Sequence, residues 1–200
     1  MSTNRGQGHA ISYLAAHPEV NVVILAASWT PSTLRLEGEE EGGRHSPKEV
    51  FELGLLDTLK RISRPNRSII IVGNFPRIPN SDAPSCLVAT LGALVRKPCD
   101  RRELLVDSAV FLSSIQETYD AIRKAAAQLP SVHVIIPGDT MCREAHCTTE
   151  LNGEFLFRDS SHLRRNLTFE TRKKLADLIG LTAELRSLRG NREVFSRPQE

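Results

Sequence analysis

Three short apolar runs punctuate the chain: NVVILAA at 21–27, SIIIVG at 68–73 and SVHVII at 131–136. Each is rich in β-branched residues and bounded by Pro, Gly or polar residues. Unbroken apolar runs of this length predict strands buried on both faces, as in a parallel sheet. The segments between them have helical periodicity. Val50, Phe51, Leu53, Leu55, Leu56 and Leu59 mark a helix from about Pro47 to Ile62, with Ser46 as its N-cap and Pro47 at its first position. Val110, Leu112, Ile115, Tyr119, Ile122 and Ala126 form a stripe within Ser108–Leu129, which stops at Pro130. A final helical stretch runs from about Thr168 to Leu188, with Gly180 as a break, and a short helix over Ala10–Ala16 precedes the first strand.

Alternating helices and strands predict βαβ units in an α/β fold. The expected architecture has three layers, α/β/α, around a mainly parallel sheet. Right-handed crossovers place all strand C-terminal ends on one edge, where open α/β sheets carry their sites. Attention therefore falls on Ser28-Trp29-Thr30, Asn74-Phe75-Pro76 and Pro137-Gly138-Asp139. Ser28, Trp29 and Asn74 are the candidates for lining a substrate cleft. Trp29 fits the floor of a sugar pocket or a cover over the sheet equally well. Two stretches look irregular: residues 30–46, acidic and Gly-rich, and residues 74–104, where four prolines fall. Residues 190–200 read as a disordered tail.

Composition narrows the function classes. In 200 residues, 26 Lys and Arg face 24 Asp and Glu, so the net charge is only +2. That balance gives no electrostatic footprint for a nucleic-acid partner. Nor does any run of about 18 apolar residues mark a membrane span. The N-terminal residues lack the charged start and apolar centre of a signal peptide.

The four cysteines, Cys86, Cys99, Cys142 and Cys147, all lie in irregular segments. Four loop cysteines in two local pairs fit two disulfides and an oxidising compartment. A zinc site using Cys142, His146 and Cys147, with His162 as fourth ligand, is the alternative, although the spacing is not that of a zinc knuckle. Free thiols are the third.

The sharpest chemical signal is Phe157-Arg158-Asp159-Ser160-Ser161-His162-Leu163. An Asp and a His three residues apart on one turn can lie side by side. The carboxylate then fixes the imidazole tautomer and stabilises its protonated form, so the other ring nitrogen can act as a general base. Spacing alone allows a second reading, in which Asp159 or Ser160 caps the last helix and His162 is a surface residue.

The order MCREAHC, NGEFLFRDSSHL and then a helix resembles the C-terminal end of SGNH hydrolase-like domains, in the version fused behind acyltransferase-3 membrane domains in bacteria. Cys142 and Cys147, Gly153, Phe155 and Phe157, Asp159, His162 and Leu163 carry the likeness. LAASW at 25–29 and IIIVGNFPRIP at 69–79 resemble two of the family's strand ends, so the likeness covers about residues 10–185. It implies an SGNH or flavodoxin-like α/β/α domain over residues 1–189. It also implies disulfides Cys142–Cys147 and Cys86–Cys99, catalytic roles for Asp159 and His162, and no cofactor or metal.

The same resemblance implies O-acylation chemistry at the periplasmic side of the membrane. An acyl group, such as acetyl, would pass from a donor to a hydroxyl of a cell-surface polysaccharide, with a membrane acyltransferase domain as partner. The family's nucleophile is the Ser of a strand ending in Gly-Asp-Ser. No Gly-Asp-Ser occurs in this sequence, so the expected sheet lacks that first strand and the chain alone is expected to be inactive. Ser28 is the weak alternative nucleophile. A non-catalytic carbohydrate-binding or interaction module is the rival function.

Overall fold

Proline at the first position and a reciprocal cap start the first long helix where the sequence places it. In the computed structural model, α2 spans Pro47–Ile62, and Ser46 and Glu49 cap each other's backbone N–H groups. The structure describes residues 4–30, 45–79 and 101–195. Around α2 lie α1 (Asn4–Ala16), β1 (Val22–Ala26), β2 (Ser68–Val72), a 3₁₀ turn at Arg101–Leu104, α3 (Ser108–Ala126) and β3 (Val132–Ile135). These are followed by α4 (Pro137–Met141), β4 (Glu150–Leu151), β5 (Glu154–Phe155), α5 (Phe169–Leu178) and α6 (Leu181–Phe195). No helix among the described residues is long and apolar enough to cross a membrane.

The three apolar runs pair as one parallel sheet in the order β1-β2-β3, with Ile70 opposite Ile24 and His133. The chain divides into two compact units. One comprises residues up to Gly73 and Gln116–Ile135, the other Asn74–Ile115 and Ile136 onward. In the first unit, Ile69 and Ile71 of β2 pack with Phe51, Leu55, Leu59 and Ile62 of α2 and with Ala121, Ile122 and Ala125 of α3. Val23 and Leu25 extend that apolar face, and α1 adds Ile11 and Leu14. β2 is the central strand and is buried as expected: Ile69, Ile70 and Ile71 have no exposed surface.

β1 departs from the expectation of burial on both faces. Ile24 is 45% exposed, and Ala26 is exposed as well. Among the described residues β1 is an edge strand: Val23 and Leu25 pack on the core, while Ile24 and Ala26 on the opposite face are exposed. The last helical stretch breaks where predicted. Gly180 takes φ 82° between α5 and α6, a left-handed conformation that glycine tolerates. α6 runs through Gly190 to Phe195, beyond the point at which the sequence reading places the disordered tail. A mid-helix glycine costs about 1 kcal/mol but does not by itself end a helix.

In the second unit, Cys142 and Cys147 form a disulfide with Cα atoms 4.0 Å apart. This excludes the zinc reading, since sulfurs bonded to each other cannot serve as thiolate ligands. No group of three or more metal-ligating side chains occurs among the described residues. Cys86 and Cys99 lie outside the described residues. The bridged loop is laced to the start of α3: Cys147 N donates to Val106 O at 2.8 Å and Ser108 N to Ala145 O at 3.0 Å. Closing so short a loop stabilises a fold by about 2 kcal/mol in the chain-entropy account. The variant with both Cys142→Ala and Cys147→Ala should lose about that much in urea unfolding. An unchanged midpoint and slope would contradict this role.

Candidate active site

The Asp159–His162 turn is built from a two-residue hairpin upward. β4 and β5 are joined by Asn152 and Gly153, with φ 53° and 74°, the left-handed pair that a tight hairpin turn requires. From β5 the chain enters Leu156 and Phe157, both fully buried. Phe157 then bridges Leu163, and Arg158 N donates to His162 O at 2.8 Å. These contacts close a small antiparallel turn over residues 158–162. Arg164 N donates to Leu156 O at 2.8 Å and anchors its exit. A second anchor comes from the segment that follows β2 in the chain, where Ile78 N donates to Ser160 O at 2.8 Å. Ile78 is itself buried.

Within that turn the side chains meet. His162 Nδ1 lies 2.9 Å from Asp159 Oδ1 and 3.0 Å from Oδ2. Oδ1 also accepts the backbone N–H groups of Ser161 at 3.0 Å and His162 at 2.9 Å. Oδ2 accepts from Arg158 Nε at 3.3 Å and Nη2 at 3.2 Å. Asp159 is partly covered, whereas the imidazole is 68% exposed. Helix capping is therefore not what Asp159 does. The last helical stretch is capped by Thr168, whose hydroxyl accepts from Thr171 N, nine residues further along.

Partial desolvation raises the Asp159 pKa, but the backbone N–H groups of Ser161 and His162, the imidazole and Arg158 outweigh it. The carboxyl is held well below the usual carboxylate range. Because the folded value is depressed, these interactions stabilise the fold above the ordinary aspartate pKa of about 3.9. That contribution fades as pH falls through the lower folded value. A carboxyl NMR titration should find Asp159 still ionised at about pH 3. A midpoint near the ordinary value would contradict the hydrogen-bond set.

The other expected site residues fall in different places. Asn74 is buried and belongs to the same unit as Asp159 and His162. Ser28 and Trp29 belong to the sheet unit. Ser28 is exposed. Trp29 Nε1 donates to Val72 O at 2.8 Å, and its ring meets Phe51 edge-on with centroids 6.0 Å apart. These contacts hold the Trp29 side chain at the end of β2. Ser161 Oγ lies 3.5 Å from His162 Nδ1, the nitrogen already engaged by Asp159. A serine nucleophile must instead meet the opposite nitrogen, so Ser161 is placed for the turn rather than for attack.

Sequence reasoning missed two residues of this turn's support. In the sequence Arg158 stands only as part of the motif, and Ile78 only as part of a proline-rich exit. Neither carries a local pattern that announces its partner.

The family model described as "SGNH domain (fused to AT3 domains)" matches residues 3–166. The chain belongs to the SGNH domain family. No curated protein and no solved structure matches it. The matched span covers the three-stranded sheet, the Cys142–Cys147 disulfide and the Asp159–His162 turn, and it ends before α5. Such SGNH domains are fused to AT3 domains, which points to an acyltransferase-associated role.

Proposed function

We propose that this chain is the base-bearing part of an SGNH domain of a bacterial O-acyltransferase. The reaction moves an acyl group, such as acetyl, to a hydroxyl of a cell-surface polysaccharide at the periplasmic side of the membrane. His162 is the general base and acid, Asp159 its orienting partner. Ser28, Trp29 and Asn74 are the proposed substrate-binding residues. The observation that supports the reading is the grip of both Asp159 oxygens on Nδ1, which leaves Nε2 of an exposed ring available for proton transfer. The serine that attacks the acyl donor is the family's Gly-Asp-Ser residue, which this sequence does not contain. Nucleophile and base act as a unit, so the chain alone turns over no ester.

Proton flow follows from those roles. Nε2 takes the serine proton as Oγ attacks the acyl carbonyl and returns it to the departing group. It then takes the proton of the sugar hydroxyl as that oxygen attacks the acyl-serine, and returns it to the serine. Asp159 stays ionised throughout and stabilises the imidazolium each time it forms. The test is acyl transfer by the chain joined to a family Gly-Asp-Ser segment, with and without His162→Ala. A Ser28-dependent esterase rate from the chain alone would move the nucleophile to Ser28 and overturn the assignment.

A further inference from the structure

One side chain in the catalytic turn has no part in proton transfer, yet it touches the carboxylate that orients the base. Oδ1 of Asp159 is fixed by two backbone N–H groups, those of Ser161 and His162. Oδ2 has no backbone donor among its hydrogen bonds; it is reached by His162 Nδ1 and by Arg158 Nε and Nη2. An aspartate carboxyl turns easily about its last torsion, because such sp³–sp² torsions have broad wells. The two N–H groups on Oδ1 limit that torsion from one side of the carboxylate, and the Arg158 donors on Oδ2 narrow it from the other.

We infer that Arg158 is a positioning residue for the Asp159–His162 pair. Its planar fork places two donors on Oδ2 and holds the carboxylate plane so that both oxygens face Nδ1. The imidazole is thereby kept in the tautomer with its proton on Nδ1, and Nε2 is the accepting nitrogen. A lysine supplies a point charge without the fork and holds the plane less well. The pair is exposed, half the Arg158 side chain being in solvent, so the effect is that of a surface ion pair. It acts on the geometry of the base and leaves the fold intact.

The inference rests on the reading of His162 as the base, but its test needs no turnover. The full chain, labelled with ¹⁵N in histidine, is studied by NMR at about pH 8.5, where an ordinary imidazole is neutral. Wild type should show His162 chiefly as the Nδ1–H tautomer. Arg158→Ala should lower the ratio of Nδ1–H to Nε2–H by about two- to fivefold, the range of an exposed pair. Arg158→Lys should fall between the two, and Asp159→Asn should give the largest loss. An unchanged ratio in Arg158→Ala, with a native amide spectrum, would overturn the role of Arg158 and leave the base assignment standing. A wild-type ring chiefly in the Nε2–H form would overturn both. If Arg158→Ala does not fold, Arg158→Gln makes the same measurement with the side-chain length retained.

Discussion

Replacing Arg67 by Met is expected to cost about 3 kcal/mol of stability, roughly the value of a few charge-assisted hydrogen bonds after non-additive loss. Arg67 is 2% exposed and donates to four backbone carbonyls. Nε reaches Val20 O at 2.7 Å, Nη1 reaches Ile62 O at 2.9 Å, and Nη2 reaches Leu14 O and His17 O, both at 3.0 Å. Leu14 and His17 lie at the end of α1, and Ile62 is the last residue of α2. One guanidinium thus serves the C-termini of two helices, where carbonyls lack intrahelical partners and the dipole favours a cation. Met stands in for the apolar stem of the side chain but leaves those carbonyls without their donor. Arg67→Lys should recover part of the loss, since one ammonium cannot span four acceptors. Urea unfolding is the measurement. A loss below about 1 kcal/mol would mean that water or neighbours replace the guanidinium.

Arg67 also shows where sequence reading stops. It stands in SRPNRSIII, between a helix end and a strand start, and looks like one more solvated loop arginine. Its role depends on three chain segments meeting, and no local pattern encodes that. Patterns that depend on near neighbours were legible. The three apolar runs became β1, β2 and β3 within one residue at either end, and Ser46-Pro47 marked the start of α2. α1 began earlier than expected, at Asn4, because its first turns carry no apolar period. The exposure of Ile24 was not legible either, since an apolar run does not say whether its strand lies at the edge or the centre of the sheet.

The site was legible in the same graded way. Asp159 and His162 are three residues apart, and the turn that brings them together is local, so the sequence could name the pair. Their support includes a contact from further off: Ile78, in the segment after β2, donates its N–H to Ser160 O. The cap that the spacing also allowed went to Thr168. There the hydroxyl accepts from Thr171 N, and Glu154 accepts from Thr168 N at 3.2 Å. That carboxylate arrives from β5, so capping of α5 depends on a contact 14 residues distant.

The second large effect is on chemistry. Removing a general base from a serine-type site costs about 10²–10⁴-fold in rate, because the nucleophile keeps its proton through the attack. In the chain joined to a family Gly-Asp-Ser segment the loss should follow His162 itself. His162→Ala deletes the base, whereas Asp159→Asn keeps an imidazole but frees its tautomer and removes the charge that stabilises the imidazolium. Both variants leave the buried Phe157 and the Phe157–Leu163 bridge in place, so the turn should persist and the loss should be one of catalysis rather than folding.

The most direct test measures transfer of a radiolabelled acetyl group to polysaccharide by the chain joined to a family Gly-Asp-Ser segment and its membrane acyltransferase domain. Wild type should transfer label, and His162→Ala should reduce the rate by about 10²–10⁴-fold with the protein still folded. Transfer that proceeds undiminished in His162→Ala would contradict the assignment of His162 as the base and leave the turn a structural feature of a binding module.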